Sequence, residues 1–220
     1  MRCVVIGVLA AAACAASEGP PFGALAAAAG AASEEAACAA EGSCSDAAAM
    51  LQVQNEKFFA KKGECKVFPK GDSSEPGPNG TLTFTKSESK ESFTLIKYCI
   101  CGLAPDSFHG LHVHQAANFT DGCLSTLSHF NPYMNNHGAA TDKFKHLGDL
   151  GNIKADEKGC ACGENLQSDL PLCGLNSIIG RSIVVHALQD DLGQGGNDAS
   201  RGPAGGNAGG RIACGEIKSV

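Results

Sequence analysis

Along most of the chain, short runs in which apolar or β-branched residues alternate with polar ones are separated by Gly, Asn, Asp and Pro. Alternation of that period turns one face of an extended segment toward a core and the other toward water. The runs at 65–69, 81–86, 93–101, 110–115, 148–155, 160–165, 182–186 and 211–217 therefore predict strands. Eight short strands punctuated by turn residues predict an all-β sandwich or barrel. Two connections, 116–147 and 187–210, break the regular spacing, and both are polar and rich in Gly or Asn. Loops of that length inside a compact domain are uncommon and are usually functional or disordered. Most of the histidines fall on these loops or at their edges, so the chemistry is expected there.

The N-terminal part follows another pattern. MRCVVIGVLAAAACAAS has a basic second residue, an apolar run and small residues suited to cleavage near Ala15 or Ala16, which reads as a secretory signal peptide over residues 1–16. The run is short for a membrane span. Residues 17–61 are dominated by Ala, without alternation, and read as a low-complexity tail or linker. Local helix around 34–54 is expected from its Ala and Glu content, and a second targeting element is the alternative reading. The folded domain is thus placed at 62–220, in a chain that is secreted or reaches an organelle through the secretory pathway.

Composition narrows the function. A length of 220 residues allows one domain of ordinary size plus a tail. A formal net charge of −6 argues against nucleic acid or an anionic membrane as the main partner, while a small anion can still be steered locally. Abundant Gly, 28 residues, and the absence of Trp suit a turn-rich β protein. Twelve cysteines in an oxidising compartment are expected to pair, apart from Cys3 and Cys14, which leave with the signal. The sequons at Asn79 and Asn118 fit the same route.

In Leu111-His112-Val113-His114, alternation turns Leu111 and Val113 inward and both imidazoles to the opposite face. That is half a metal site or, equally, a solvated strand face. His129, His137, His146 and Asp149 follow in a loop with little apolar content of its own. Burial cannot order such a loop, so a cross-link or an ion must offset its entropy, and three His with one Asp match the tetrahedral set that zinc prefers. Incidental histidines on a mobile loop are the competing reading of this segment taken alone. His186 adds an imidazole at a strand end.

Taken jointly, Gly110-Leu-His-Val-His-Gln115, Gly122-Cys123, His129-Phe-Asn-Pro132, His137-Gly138, His146-Leu-Gly-Asp149-Leu-Gly-Asn152, Ile179-Gly-Arg-Ser-Ile-Val-Val-His186, Asp190-Asp-Leu-Gly193, Gly195-Gly-Asn197 and Gly206-Asn-Ala-Gly-Gly-Arg-Ile-Ala-Cys-Gly215 resemble the copper,zinc superoxide dismutase family. The similarity runs from about Lys62 to Val220 with the ligand spacings retained. It implies an eight-stranded antiparallel Greek-key barrel or sandwich with two long functional loops. It implies copper ligands His112, His114, His129 and His186 and zinc ligands His129, His137, His146 and Asp149, with His129 shared. Asp190 matches the carboxylate that orients a copper His and a zinc His through their free ring nitrogens, whereas Asp191 suits an exposed turn acid. Cys123 and Cys214 match a disulfide that contributes about 4 kcal/mol in the chain-entropy model. Arg211 matches the cation that meets the anion beside copper, and His109 is read as a loop-packing histidine.

The activity implied is dismutation of superoxide to dioxygen and hydrogen peroxide by alternate reduction and reoxidation of a His-bound copper, with an adjacent structural zinc and one of each metal per chain. A metal carrier on the same sandwich commonly lacks a copper ligand or the arginine, and all are present here. A secreted cysteine-rich interaction module is a third reading, compatible with catalysis.

The chain departs from the family in places. The second long loop is two residues longer before Arg211, and its 200–206 stretch replaces one usually richer in Lys, Glu and Thr, which leaves the channel rim undetermined. The positions of the usual apolar dimer patch carry Ala116, Glu216 and Ser219, so a monomer or weak dimer is expected. Cys99 and Cys101 flank Ile100, and Cys160 and Cys162 flank Ala161, so each pair faces outward. These strands are antiparallel neighbours in the family topology. If Cys101 opposes Cys160, then Cys99 opposes Cys162, which predicts one or two additional disulfides. A four-thiolate zinc site is the alternative, although four ligands from one flat face fit a tetrahedron poorly. Cys65 and Cys173 are left as a further pair or as free thiols.

Overall fold

The computed structural model describes residues 60–87 and 93–220. The expected signal peptide, the Ala-rich segment up to residue 59 and the helix expected near 34–54 lie outside the described residues. Within them the strands are β1 (Lys62–Val67), β2 (Asn79–Lys86), β3 (Phe93–Cys101), β4 (Phe108–His114), β5 (Thr120–Cys123), β6 (Asp149–Lys154), β7 (Ala161–Ser168), β8 (Ser182–His186) and β9 (Arg211–Ser219).

Eight of these strands form one sheet in the order β6-β4-β8-β9-β1-β2-β3-β7, and every pairing is antiparallel. The strands at its two ends, β6 and β7, approach each other, and the side-chain amides of Asn165 and Gln167 reach the Leu150 carbonyl at 3.4 and 3.5 Å. The sheet is thereby nearly closed into a barrel. Successive strands β3 and β4 are not neighbours, so the chain crosses the barrel between them as a Greek-key connection does. Alternating residues fill the interior: Leu82 and Phe84 from β2, Ile96 and Ile100 from β3, Leu111 and Val113 from β4, Ile183 and Val185 from β8.

Each predicted strand is present, with ends set by its partners. β7 continues to Ser168 because the nine-residue β3 offers a ladder as far as Phe93 opposite Ser168. β1 begins at Lys62, paired with Thr85, and Ala60 just before it joins the core. The short β5 lies inside what the sequence presents as one polar loop, because Thr-Asp-Gly-Cys has no apolar alternation to announce it.

The cysteines follow the ladder. Cys99 lies opposite Cys162, and the disulfides are Cys99–Cys162 and Cys101–Cys160, each with a Cα separation of 4.0 Å, while Ile100 and Ala161 between them are fully buried. Cys123–Cys214 spans 5.7 Å between Cα atoms and ties the first long loop to β9. Cys65 and Cys173 are not a pair: Cys65 is a buried free thiol and Cys173 is disulfide-bonded. Cys65 sits on the core side of β1, where no second cysteine among the described residues faces it.

Candidate metal centre

The two long loops fold onto the outer face of β4. On that strand Leu111 and Val113 enter the core, and alternation sends His112 and His114 to the other side, as the sequence predicts. That face is not solvated: both imidazoles are fully buried. The first loop returns across the strand through hydrogen bonds Phe130 N to Val113 O at 2.8 Å and Val113 N to Gly148 O at 2.9 Å, which brings His129 beside His114. The second loop lies on the first. The carbonyls of Arg201 and Pro203 accept from the backbone of His137 and His129, so the unusual 200–206 stretch braces the first loop.

Glycines permit this approach at two points. A Cβ on Gly110 would press on Ala208 and Asp190 at 3.0 and 3.3 Å, and one on Gly206, whose φ is +93°, would collide with the Asp190 carboxylate. Asp191 is half-buried and not an exposed turn acid. It accepts from Gly193 N, Ser200 Oγ and Asn207 Nδ2 and so organises the second loop.

The histidines gather in two adjoining clusters. His112, His114, His129 and His186 bring ring nitrogens within 4.8 Å of one another. Each has one buried ring nitrogen without a hydrogen-bond partner: His112 Nδ1, His114 Nε2, His129 Nε2 and His186 Nε2. Buried polar atoms are nearly always bonded, so a convergent set of bare lone pairs points to a cation. Soft and borderline metals, copper among them, accept imidazole nitrogen.

On the other side of His129, three Nδ1 atoms surround one carboxylate oxygen. Asp149 Oδ1 lies 3.0 Å from His129 Nδ1, 3.0 Å from His137 Nδ1 and 3.2 Å from His146 Nδ1, and the His129 and His146 Nδ1 atoms are 3.3 Å apart. A tetrahedron with metal–ligand bonds of about 2.0 Å has edges of about 3.3 Å, so this set fits zinc. His112 also lies within 4.8 Å of His129, His137 and Asp149. Its Nε2 is already bonded to Asp190, and His146 Nδ1, 3.2 Å from Asp149 Oδ1, takes the fourth corner.

Asp190 joins the clusters. Its Oδ2 is 2.7 Å from His112 Nε2 and its Oδ1 is 2.8 Å from His137 Nε2. One carboxylate therefore fixes the tautomer of a ring in each cluster and leaves the opposite nitrogen of each free. Gly138 N and His146 N both donate to Asp149 Oδ2, which locks that side chain.

Protonation follows burial and neighbours. Burial, reinforced by His112, lowers His129 to about 3 and His186 to about 2, and burial with His129 holds His114 well below the usual histidine range. These rings are neutral, the form that binds metal. Burial opposes charge on Asp149, yet its contacts with His129, His137 and His146 hold it far below the usual carboxylate range. Against the same opposition, Asp149 and Asp190 raise His137 to about 9.

His186 is 5% exposed whereas His112, His114 and His129 are fully buried, so the first cluster opens to solvent beside His186. Arg211 pairs with His186 across β8 and β9 and is half-buried. Its Nη1 donates to Cys123 O at 2.9 Å and Leu124 O at 3.1 Å. A fixed cation thus stands beside His186, the most exposed member of a buried histidine cluster.

His109 is not a loop residue. It lies on β4, is buried, and bonds through Nδ1 to the carbonyl of His186.

Residues 78–217 match the Copper/zinc superoxide dismutase (SODC) family. The chain belongs to the copper/zinc superoxide dismutase family. A curated relative, Superoxide dismutase [Cu-Zn] of Saccharomyces cerevisiae, is 44% identical over 148 residues, which cover 67% of this chain and 92% of that one. The crystal structure of the clock protein EA4 superposes with a TM-score of 0.66 at 35% identity, covering 73% of this chain and 96% of that chain. As a copper/zinc superoxide dismutase the chain is an enzyme acting on superoxide, and membership implies one copper and one zinc per chain. Among the described residues no helix is long and apolar enough to cross a membrane.

Proposed function

We propose that the chain dismutates superoxide at copper held by His112, His114, His129 and His186, with zinc held by His129, His137, His146 and Asp149. The observation that carries this reading is the pair of nitrogens on His129: Nε2 faces the unpartnered histidine atoms and Nδ1 faces Asp149. Bound copper would supply a one-electron couple that takes an electron from one superoxide and returns it to another.

The residues around it do the rest. Arg211 attracts the monoanion in a protein of net charge −6 and orients it at the open side of the cluster. Asp190 holds His112 and His137 in the tautomers that leave the opposite nitrogens free. Asp149 orders the first loop and with it the position of His129. In the state in which His129 Nε2 is not a metal ligand, that nitrogen would hold a proton and pass it toward the reduced product.

Secretion is part of the proposal. The N-terminal signal pattern supports it, and so do the disulfides Cys99–Cys162, Cys101–Cys160 and Cys123–Cys214, which suit an oxidising compartment. The chain is a monomer or a weak dimer, because Ala116, Glu216 and Ser219 offer no apolar anchor for a tight interface.

The full chain should bind one copper and one zinc and turn over superoxide. Arg211→Ala should keep both metals, slow the reaction at low salt and flatten its ionic-strength dependence. A fully loaded protein without turnover would favour the metal-carrier reading.

A further inference from the structure

One fully buried hydroxyl beside the copper cluster has no part in the reading above. Thr126 ends the short turn Leu124–Thr126 that follows Cys123 and has no exposed surface. Its Oγ1 donates to Cys123 O at 2.8 Å, since a carbonyl can only accept. The same oxygen accepts from Arg211 Nη1 at 3.1 Å and lies 3.2 Å from His114 Nδ1. His114 Nδ1 also donates to Leu127 O at 2.8 Å, which places the ring proton on Nδ1 and leaves Nε2 as the bare lone pair of the copper cluster. One donor and both lone pairs of a single hydroxyl are thus all engaged.

We propose that Thr126 is a positioning residue that sets the Arg211 guanidinium relative to the copper-ligating ring of His114. The inference rests on the dismutase reading. The other two acceptors of Arg211 Nη1 are the backbone carbonyls of Cys123 and Leu124, which any residue at 126 would leave in place. Among the described residues the hydroxyl of Thr126 is the hydrogen-bonding group that reaches the arginine and the imidazole together. Without it the guanidinium keeps its tether to the turn but loses its orientation toward the cluster. The metal ligands themselves are untouched, so the effect should appear in anion binding and in the electronic surroundings of copper, and not in metal content.

The test uses the full chain loaded with copper and zinc, azide as the anionic probe, and the variants Thr126→Val, which keeps the shape without the oxygen, and Thr126→Ser, which keeps the oxygen. In Thr126→Val the azide dissociation constant should rise about three- to tenfold, the range of one ordinary hydrogen bond, because the bond lost orients the guanidinium and is not itself made to the anion. The electron paramagnetic resonance spectrum of the azide-free copper should shift, metal content should equal that of the parent, and Thr126→Ser should restore both readouts. Parental azide affinity and spectrum in Thr126→Val would overturn the proposal. So would a Thr126→Ser protein no better than Thr126→Val, or a Thr126→Val protein that loses copper, since the hydroxyl would then serve metal retention. A parent protein whose metal-loaded form shows no azide-sensitive spectrum would instead bring down the dismutase reading on which the proposal stands.

Discussion

His109 Nδ1 donates a hydrogen bond of 2.8 Å to the backbone carbonyl of His186, joining β4 to the last residue of β8. The ring is held on its other side by Ser107 Oγ, 2.7 Å from Nε2. By alternation His109 shares its side of β4 with Leu111 and Val113, opposite His112 and His114, and it touches the first histidine cluster through the backbone of His186. Replacing it with Leu removes a buried donor from that carbonyl, which should cost about 1–3 kcal/mol in denaturant unfolding. The variant should also release copper faster to a chelator. Parental stability together with parental copper release would show that the bond holds nothing in place.

The paired disulfides of β3 and β7 differ in accessibility from the one beside the metal centre. Cys99 and Cys162 are exposed, whereas Cys123 and Cys214 are 4% and 0% exposed. Exchange requires a thiolate to reach a sulfur, so limiting reductant should open Cys99–Cys162 before Cys123–Cys214. Before any reduction none of Cys99, Cys101, Cys160 and Cys162 should alkylate. Peptide mapping after stepwise reduction checks both statements, and an early signal from Cys214 would refute the order.

The ease with which these features are read from sequence has a physical gradient. Strands are legible because one buried face enforces alternation, and the Cys99–Cys162 pairing is legible because a ladder fixes opposed positions once two strands are known to be neighbours. The ligand spacings stand out because several imidazoles must meet at one point. Strand ends are not legible, since partner strands set them, as Ser168 opposite Phe93 shows. The fate of Cys173 and of Cys65 depends on what faces each in three dimensions. The bonds of Thr126 and His109 are also invisible in one dimension, because Arg211 and His186 lie 85 and 77 residues away from them.

Cys65 makes a test of pH dependence. Burial raises its thiol to about 12 from an ordinary value of 9.0. The folded protein keeps this proton where the unfolded chain has lost it, so the unfolded state binds fewer protons and stability falls as pH rises. The contribution is complete below about pH 8, starts to be lost near 9 and is gone by about 12. Cys65→Ala should lose this part of the alkaline slope in denaturant titrations at several pH values. At pH 8 the native thiol should resist iodoacetamide while the unfolded chain reacts. A slope identical in the variant would mean that other groups govern the alkaline limb.

The two sides of His129 should come apart under mutation. His186 belongs to the first cluster only: its Nδ1 is bonded to Gly209 O at 3.1 Å and its Nε2 is unpartnered. His186→Ala removes one of four imidazoles there and leaves the Asp149 cluster intact, so superoxide turnover should vanish while zinc stays bound. Asp149 belongs to the other side and holds the first loop through Gly138 N and His146 N at 3.2 and 2.9 Å. Asp149→Ala should therefore lower zinc retention and thermal stability together, since a metal that binds only the folded state stabilises it by mass action. For the same reason chelation should lower the parent's melting temperature more than it lowers that of Asp149→Ala. Metal analysis beside calorimetry reads both arms. Zinc lost from His186→Ala with copper retained would reverse the assignment, and undiminished turnover in that variant would remove His186 from the copper site altogether.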